Sequence, residues 1–171
     1  MAPRHAHQGV ISAADVPCGI LTVSDSRTPE DDASGRLIRE LLEAGGHPIA
    51  SYAIVRDEPV AIRTAVLQAA EDPRIRALIV SGGTGITARD VTVESVAALW
   101  TRELPGFGEV FRALSFAEIG PAAVLSRAAG GVVGSTFVAL LPGSSTGCRL
   151  AVERLVLPLL GHVAALLASP P

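Results

Sequence analysis

The strongest constraint on the fold is a glycine-rich stretch near the middle of the chain. The apolar run Ala77-Leu78-Ile79-Val80 leads into Ser81-Gly82-Gly83-Thr84-Gly85, and Arg89-Asp90 follows soon after. A short apolar run bounded by glycines is typical of a buried strand. Glycine at the end of the strand can take positive φ, and successive amides in such a turn bind anions. The stretch therefore predicts a phosphate-binding loop at the carboxyl end of a central strand.

A glycine-rich turn that binds nothing would show the same cluster of glycines. The acidic residue beyond the glycines, Asp90, favours the phosphate site. A carboxylate beside a phosphate usually handles a metal ion or a proton.

Composition narrows the class of protein. The chain has 171 residues, of which 49% are hydrophobic and 4% aromatic, so we expect one domain with an aliphatic core. The net charge of −3 gives no reason to expect a nucleic-acid partner. All 14 basic residues are arginines, which excludes a lysine Schiff base and a Walker A loop.

The ends of the chain and its cysteines predict no membrane segment, disulfide or metal cluster. Cys18 and Cys148 are far apart in sequence, and we interpret both as small buried hydrophobes. The longest apolar run, Leu155 to Ala168, is interrupted by Pro158 and is too short to span a bilayer. We expect a cytoplasmic protein with a flexible tail at residues 1–17, a single domain at 18–168 and a short tail at 169–171.

The first half of the chain alternates strands and helices. Apolar runs at 18–24, 49–55 and 77–80 predict strands, and periodic apolar positions between them predict two helices. This order is typical of a parallel sheet with helices on both faces. Since parallel strands end at one edge, we expect Ser24 to Arg27, Asp57 and Gly82 to Asp90 to lie together there.

The second half contains further capping and strand signals. Thr92 is predicted to cap a helix reaching Arg102, and the runs 129–133 and 135–141 are predicted strands, the second of them central. A last helix follows Leu141-Pro142-Gly143-Ser144, and Pro158 should kink it.

Six motifs occur in order along the chain: Leu21-Thr22-Val23-Ser24-Asp25-Ser26-Arg27, Val55-Arg56-Asp57, Ser81 to Gly85 with Arg89-Asp90, Pro105-Gly106-Phe107-Gly108-Glu109, Leu125-Ser126-Arg127 and Leu140 to Ser144. Together they resemble the MogA/MoaB family of molybdenum cofactor biosynthesis proteins. The resemblance runs from Gly19 to Leu167 and so covers nearly the whole chain.

The resemblance implies an α/β fold, a three-layer α/β/α sandwich with a mostly parallel central sheet. It also implies that the protein adenylylates molybdopterin with ATP in the presence of Mg²⁺, giving adenylyl-molybdopterin and pyrophosphate. Family members form trimers, and the MoaB branch forms hexamers, so we expect a homo-oligomer.

The family's site residues transfer to matching positions of this chain. Asp57 and Asp90 match the catalytic pair and are the candidate Mg²⁺ ligands. The candidate substrate-binding residues are Ser24, Asp25, Ser26, Arg27, Gly82, Gly83, Thr84, Gly85, Ser126, Ser135, Pro142, Gly143 and Ser144.

Simpler structural roles remain open for several of these residues. Asp57 would also suit a helix N-cap, and Asp90 could pair with Arg89 or cap a turn. Asp25 could form an Asx turn, and Ser144 could serve only as a cap.

Three positions depart from the family pattern. Arg56 and Arg36 stand where many members have proline, and Ser144-Ser145 follow Pro142-Gly143 where a second proline is common. The Pro-Gly-Ser ending favours the MoaB branch, which includes inactive members. A molybdopterin- or precursor-binding protein without catalysis is therefore the alternative function.

Overall fold

Six strands form one sheet within residues 15–168, the part of the chain that the computed structural model describes. Their bounds are β1 Cys18–Val23, β2 Ile49–Val55, β3 Ala77–Ser81, β4 Arg102–Glu103, β5 Ala129–Val133 and β6 Thr136–Leu141. The spatial order is β2-β1-β3-β6-β5-β4. The strands β2, β1, β3 and β6 are parallel, whereas β5 and β4 are antiparallel additions. The predicted mostly parallel sheet with a central β6 is confirmed.

Helices cover both faces of this sheet. They are α1 Ala33–Ala44, α2 Pro59–Glu71, α3 Thr92–Ala97, α4 Pro105–Ile119, α5 Ser145–Ala151 and α6 Leu157–Ala168. A 3-10 turn spans Gly120–Leu125, and a π-helical turn spans Val152–Val156 between α5 and α6.

Alternation along the strands divides the apolar side chains between two cores. Ile20 and Ile79 pack with α1 and the C-terminal helix on one face, and Leu21 and Val80 pack with Ile62 and other residues of α2 and α3 on the opposite face. Successive side chains of a strand point to opposite faces, so one buried strand serves both cores. The predicted three-layer α/β/α sandwich is confirmed.

A side chain caps α1, whereas the predicted cap of α3 is wrong. Asp32 is the N-cap of α1 and accepts a hydrogen bond from the Gly35 amide. Thr92 is instead the first residue of α3, and Val91 occupies the N-cap position. The helix ends at Ala97, well before Arg102, because the chain then forms the short strand β4.

The C-terminal helix is longer than the sequence indicated. Helical structure is continuous over the 24 residues Ser145–Ala168 and includes an 18-residue stretch of mean hydropathy 1.7, so the helix is long and apolar enough to cross a membrane. The run Leu155 to Ala168 is only the C-terminal part of this helix, so the prediction that the run is too short to span a bilayer does not extend to the whole helix. By itself the finding is weak evidence for a membrane segment, because a core helix meets the same criteria, and Cys148, Val152 and Val156 of this helix are buried in the core.

A kink was predicted at Pro158, and the helix contains a π-helical turn at Val152–Val156, just before this proline. Proline lacks the amide that would bond to the carbonyl four residues earlier, so the regular α-helical pattern fails near this position.

The folded domain begins before the predicted boundary at residue 18. Val16 is 2% exposed, and its amide donates to His47 Nδ1 at 3.3 Å, so this residue does not belong to a flexible tail. The rest of the predicted tails, residues 1–14 and 169–171, lies outside the described residues. Cys18 and Cys148 are free and buried, as predicted.

Candidate functional site

The glycine loop follows β3 at the edge where β1, β2, β3 and β6 all end. Gly82 has φ +98° and Gly83 has φ +64°, the left-handed conformations that were predicted for this turn. A Cβ on Gly83 would collide with the Thr92 hydroxyl and lie 3.1 Å from Asp57 Oδ1. The backbone of Gly83 therefore approaches two polar side chains more closely than any other residue type allows.

The amides of this loop are not equally available to a ligand. The Gly82 amide donates to the carbonyl of Leu141 at 3.2 Å, so it is not available to an anion. In this respect the loop differs from the predicted phosphate-binding loop. Within residues 15–168 the amides of Gly83 and Thr84 have no acceptor. These two amides are therefore the free donors of the loop that was predicted to bind phosphate.

Asp90 folds back onto the glycine loop. Its Oδ2 accepts hydrogen bonds from the amide of Thr87 at 2.8 Å and from the Thr87 hydroxyl at 2.6 Å. These hydrogen bonds, the one from the Thr87 side chain above all, lower the pKa of Asp90 and keep it ionised. Of the two structural roles predicted for Asp90, it has the second, capping a turn. It does not pair with Arg89, whose side chain pairs with Asp25.

Asp57 is not the predicted helix N-cap. The N-cap of α2 is Glu58, Pro59 begins the helix, and no side chain caps its amides. The carboxyl group of Asp57 lies beside Gly83 instead. Its pKa is raised, first by burial and then by the nearby charge of Asp25, and Asp90 contributes in the same direction. The charge of Asp90 therefore acts on the Asp57 carboxyl group and helps to raise its pKa.

Asp25 connects the loops that follow β1, β2 and β3. It accepts from the Asp57 amide at 3.2 Å and from Arg89 Nη2 at 2.5 Å, and Arg56 Nε lies 3.6 Å away. The hydrogen bond from Arg89 is the main reason that the pKa of Asp25 is lowered. The predicted Asx turn is replaced by this ion-paired bridge.

The rest of the first loop is organised by the buried carboxylate of Asp32, the N-cap of α1. Asp32 accepts from the hydroxyls of Thr22 at 2.5 Å and Tyr52 at 2.6 Å, and Arg27 Nη1 lies 3.4 Å from it. Burial would raise the pKa of Asp32, but these hydrogen bonds outweigh burial and lower it. Ser24 Oγ accepts from the amides of Ser26 and Arg27, so its role here is to shape the turn.

A cleft of about 500 Å³ opens beside the glycine loop, between α4 and the start of α5. Eight predicted site residues line it: Gly83, Thr84, Gly85, Asp90, Ser126, Pro142, Gly143 and Ser144. Ser144 also caps α5 through the Gly147 amide. Ser24, Asp25, Ser26, Arg27 and Asp57 do not line the cleft. The site therefore has two parts, the cleft and the loops that follow β1 and β2. The two parts meet at the glycine loop.

Ser135 was predicted on the rim of the site, and this prediction is wrong. It lies in the turn between β5 and β6, after Gly134 with φ +60°. Because β6 is parallel to β3, its first residue lies at the opposite edge of the sheet from the glycine loop.

Several residues that were not predicted as site residues line the cleft or contact the glycine loop. One wall comes from α4 and contains Phe111, Ser115 and Glu118. Arg127, within a motif from which only Ser126 was carried over, donates to the carbonyls of Gly85 and Asp90. Thr92 Oγ1 is buried and has no partner within residues 15–168. The Leu125-Ser126-Arg127 motif was the one available signal for Arg127.

The donor set limits the kind of metal site. Among residues 15–168 no group of three or more His, Cys, Asp or Glu side chains is placed to hold a metal ion. Mg²⁺ is commonly held by one or two carboxylates together with substrate phosphates. Asp57, which lies against Gly83, and Asp90, which lies against Gly85, are two carboxylates that fit that requirement.

Comparison with known proteins agrees with this geometry. Residues 19–162 match the family described as a probable molybdopterin binding domain. The chain is 50% identical over 149 residues to molybdenum cofactor biosynthesis protein B of Bacillus subtilis, covering 86% of this chain and 88% of that protein.

Solved structures show the same likeness. A crystal structure of a molybdenum cofactor biosynthesis protein B shares 48% identity with a TM-score of 0.89, covering 91% of this chain and 98% of that one. The tungsten cofactor synthesizing protein MoaB from Pyrococcus furiosus shares 35% identity with a TM-score of 0.76, covering 87% and 97%. The fold is that of the α/β proteins of molybdenum cofactor biosynthesis. The chain belongs to the MogA/MoaB family, within its MoaB branch.

Proposed function

We propose that this chain adenylylates molybdopterin. A terminal phosphate oxygen of molybdopterin attacks the α-phosphorus of ATP, the bond to the β-phosphate breaks, and adenylyl-molybdopterin and pyrophosphate are formed. The observation that supports this most is that Asp57 lies against Gly83 and Asp90 against Gly85, in a loop whose Gly83 and Thr84 amides have no acceptor within residues 15–168. The reaction joins two anions, so it depends on positioning and charge neutralisation more than on a protein nucleophile.

The cleft suits the pterin half of the substrate. Its volume of about 500 Å³ lies within the usual range for small-molecule sites. Phe111 and Leu150 provide apolar surface, and Ser115, Glu118 and Ser126 provide polar groups for the ring edges. The phosphate of a pterin held there would face the glycine loop, since Gly83 to Gly85 line the cleft together with Asp90.

The residues of the chain then divide the work. The amides of Gly83 and Thr84 donate to phosphate oxygens. Asp90, whose pKa is lowered, is ionised at neutral pH, and Asp57 lies beside Gly83 on the side of the β2 loop. Mg²⁺ held by these carboxylates would neutralise phosphate charge. Arg89 and Arg56, paired with Asp25, add positive charge at the rim.

The test is direct. Purified protein with ATP, Mg²⁺ and molybdopterin is expected to give a product whose mass equals molybdopterin plus an adenylyl group. EDTA should prevent its formation. Protein that binds molybdopterin but forms no such product would support the alternative, a non-catalytic binding protein.

We also propose that the chain forms a homo-oligomer through α4 and the following 3-10 turn. Val110, Phe116 and Val124 on these two elements are 47%, 54% and 72% exposed. Large exposed apolar side chains on adjacent elements are characteristic of protein interfaces. These three side chains do not line the cleft, so an interface formed by them leaves the cleft open.

A further inference from the structure

The segment between Gly85 and Asp90 needs support from outside itself. It forms no helix or strand, and Ile86 and the side chain of Arg89 are 66% and 75% exposed. Its internal hydrogen bonds are those from Thr87 to Asp90 and from the Asp90 amide to the Thr87 carbonyl. These bonds set the shape of the turn but do not fix it relative to the cleft.

Arg127 provides this support from a different part of the chain. Its Nε donates to the Gly85 carbonyl at 2.7 Å, and its Nη2 donates to the Asp90 carbonyl at 2.6 Å. Its Nη1 pairs with Glu94, and its own amide donates to the Thr84 carbonyl at 3.2 Å. One planar guanidinium thus holds both ends of the segment, a geometry that the single ammonium of lysine cannot reproduce.

We propose that Arg127 is a positioning residue: by binding the carbonyls of Gly85 and Asp90, it holds the Asp90 carboxylate in place for the reaction. The inference rests on the proposed function, because it assigns Arg127 a role through Asp90. Arg127 follows Ser126, which lines the cleft, so the same short segment contacts both the substrate cleft and the loop that carries Asp90.

Arg112 provides a matched control. It also donates to backbone carbonyls near this segment, those of Ser126 at 3.4 Å and Ala128 at 3.3 Å, but it makes no contact with the glycine loop. Both arginines are partly buried, so loss of either guanidinium removes comparable packing and leaves carbonyls unpaired. Only the loss of Arg127 should release Asp90.

The experiment compares Arg127→Gln, Arg127→Lys and Arg112→Gln in the full chain. Amide hydrogen exchange at Thr87 and Asp90 reports the order of the loop, because both amides donate within it. In Arg127→Gln we expect this exchange to rise at least about tenfold. We expect kcat for adenylyl transfer to fall about 100-fold with KM for molybdopterin nearly unchanged. Arg127→Lys should recover part of both losses, and Arg112→Gln should resemble the wild type.

The two readouts separate this inference from the proposed function. Loop exchange at the wild-type rate in Arg127→Gln would overturn the inference, and so would faster exchange with an unchanged kcat. If the wild type transfers no adenylyl group, the proposed function fails. Faster amide exchange confined to the Arg127 variants would then still support the role of Arg127 in holding the Gly85–Asp90 segment. If Arg127→Gln does not fold, the same criteria apply to Arg127→Lys.

Discussion

Asp32 shows how a single buried carboxylate can organise a whole loop. It is fully buried and joins Thr22 of β1, Tyr52 of β2, the first turn of α1 and Arg27. A buried charge is tolerated only when it is well paired, and here every contact is a donor. Removing the charge would leave donors without an acceptor inside the fold.

Asp32→Asn is therefore expected to lower the free energy of unfolding by about 2–3 kcal/mol at pH 7. Because the folded-state pKa of Asp32 lies below its ordinary value of 3.8, its stabilisation is fully present above that pH. The stabilisation is lost as the pH falls through the lower, folded-state pKa. Urea unfolding at pH 7 and at decreasing pH would measure the difference in the free energy of unfolding between Asp32→Asn and the wild type. This difference should become smaller in acid.

Asp31→Asn is the control. Asp31 is exposed, and within residues 15–168 its carboxylate accepts a hydrogen bond from the Thr28 amide alone. It should change the free energy of unfolding by less than about 0.5 kcal/mol. Equal losses in the two variants would contradict the role given to the Asp32 network.

At the scale of elements, the glycine loop combines two separate constraints. Gly83 needs a positive φ, and it also needs the space that a Cβ would take from Thr92 and Asp57. Gly134, in the β5–β6 turn, has a similar φ of +60° but nothing within 4 Å of a Cβ. The pair separates the conformational effect from the steric one.

Gly134→Ala should lower the free energy of unfolding by about 1–2 kcal/mol, because alanine is strained at positive φ. Gly83→Ala should lower it by more, because its Cβ also collides with the Thr92 hydroxyl. Only Gly83→Ala should also lose adenylyl transfer, since its methyl group displaces Asp57. Urea unfolding and product formation measured on both variants decide this. Full activity in Gly83→Ala would show that the packing around Gly83 is not required.

Sequence patterns predicted the elements better than the contacts between them. The strands were predictable because each is a short apolar run, and Asp57 and the glycine loop were placed at one edge because parallel strands end together. The Asp57 cap was wrong because the helix starts two residues later, at Pro59. Ser135 was misplaced because the direction of a strand after a hairpin does not follow from its motif.

Arg127 could not be assigned from sequence for a different reason. Its contacts with Gly85 and Asp90 join residues 42 and 37 positions apart. Pairings at such separations are created by the tertiary fold and leave no local pattern of hydropathy or spacing.

At the scale of the whole molecule, one edge of the sheet carries the site and α4 carries exposed apolar side chains next to it. The inner side of α4 contributes Phe111 to the cleft, and Phe116 on the same helix is exposed. A helix that serves a cleft and an interface would couple assembly to the shape of the site.

Light scattering should therefore give a mass that is a multiple of the 17.5-kDa chain, with a trimer or hexamer expected. Phe116→Asp should reduce the mass toward that of a single chain, because a buried charge at an interface is costly. Val60→Asp, at a site 68% exposed on α2, should leave the mass unchanged. A wild-type monomer at micromolar concentration would contradict the proposed interface.

The most direct test of the central claim compares turnover and molybdopterin affinity in Asp90→Ala and the wild type. Asp90 borders the cleft, but most of the cleft surface comes from α4, α5 and the Pro142 loop. We therefore expect turnover to fall at least about 1,000-fold while molybdopterin affinity changes little. Asp31→Ala, at an exposed carboxylate away from the cleft, should leave both unchanged. Wild-type turnover in Asp90→Ala would contradict the account.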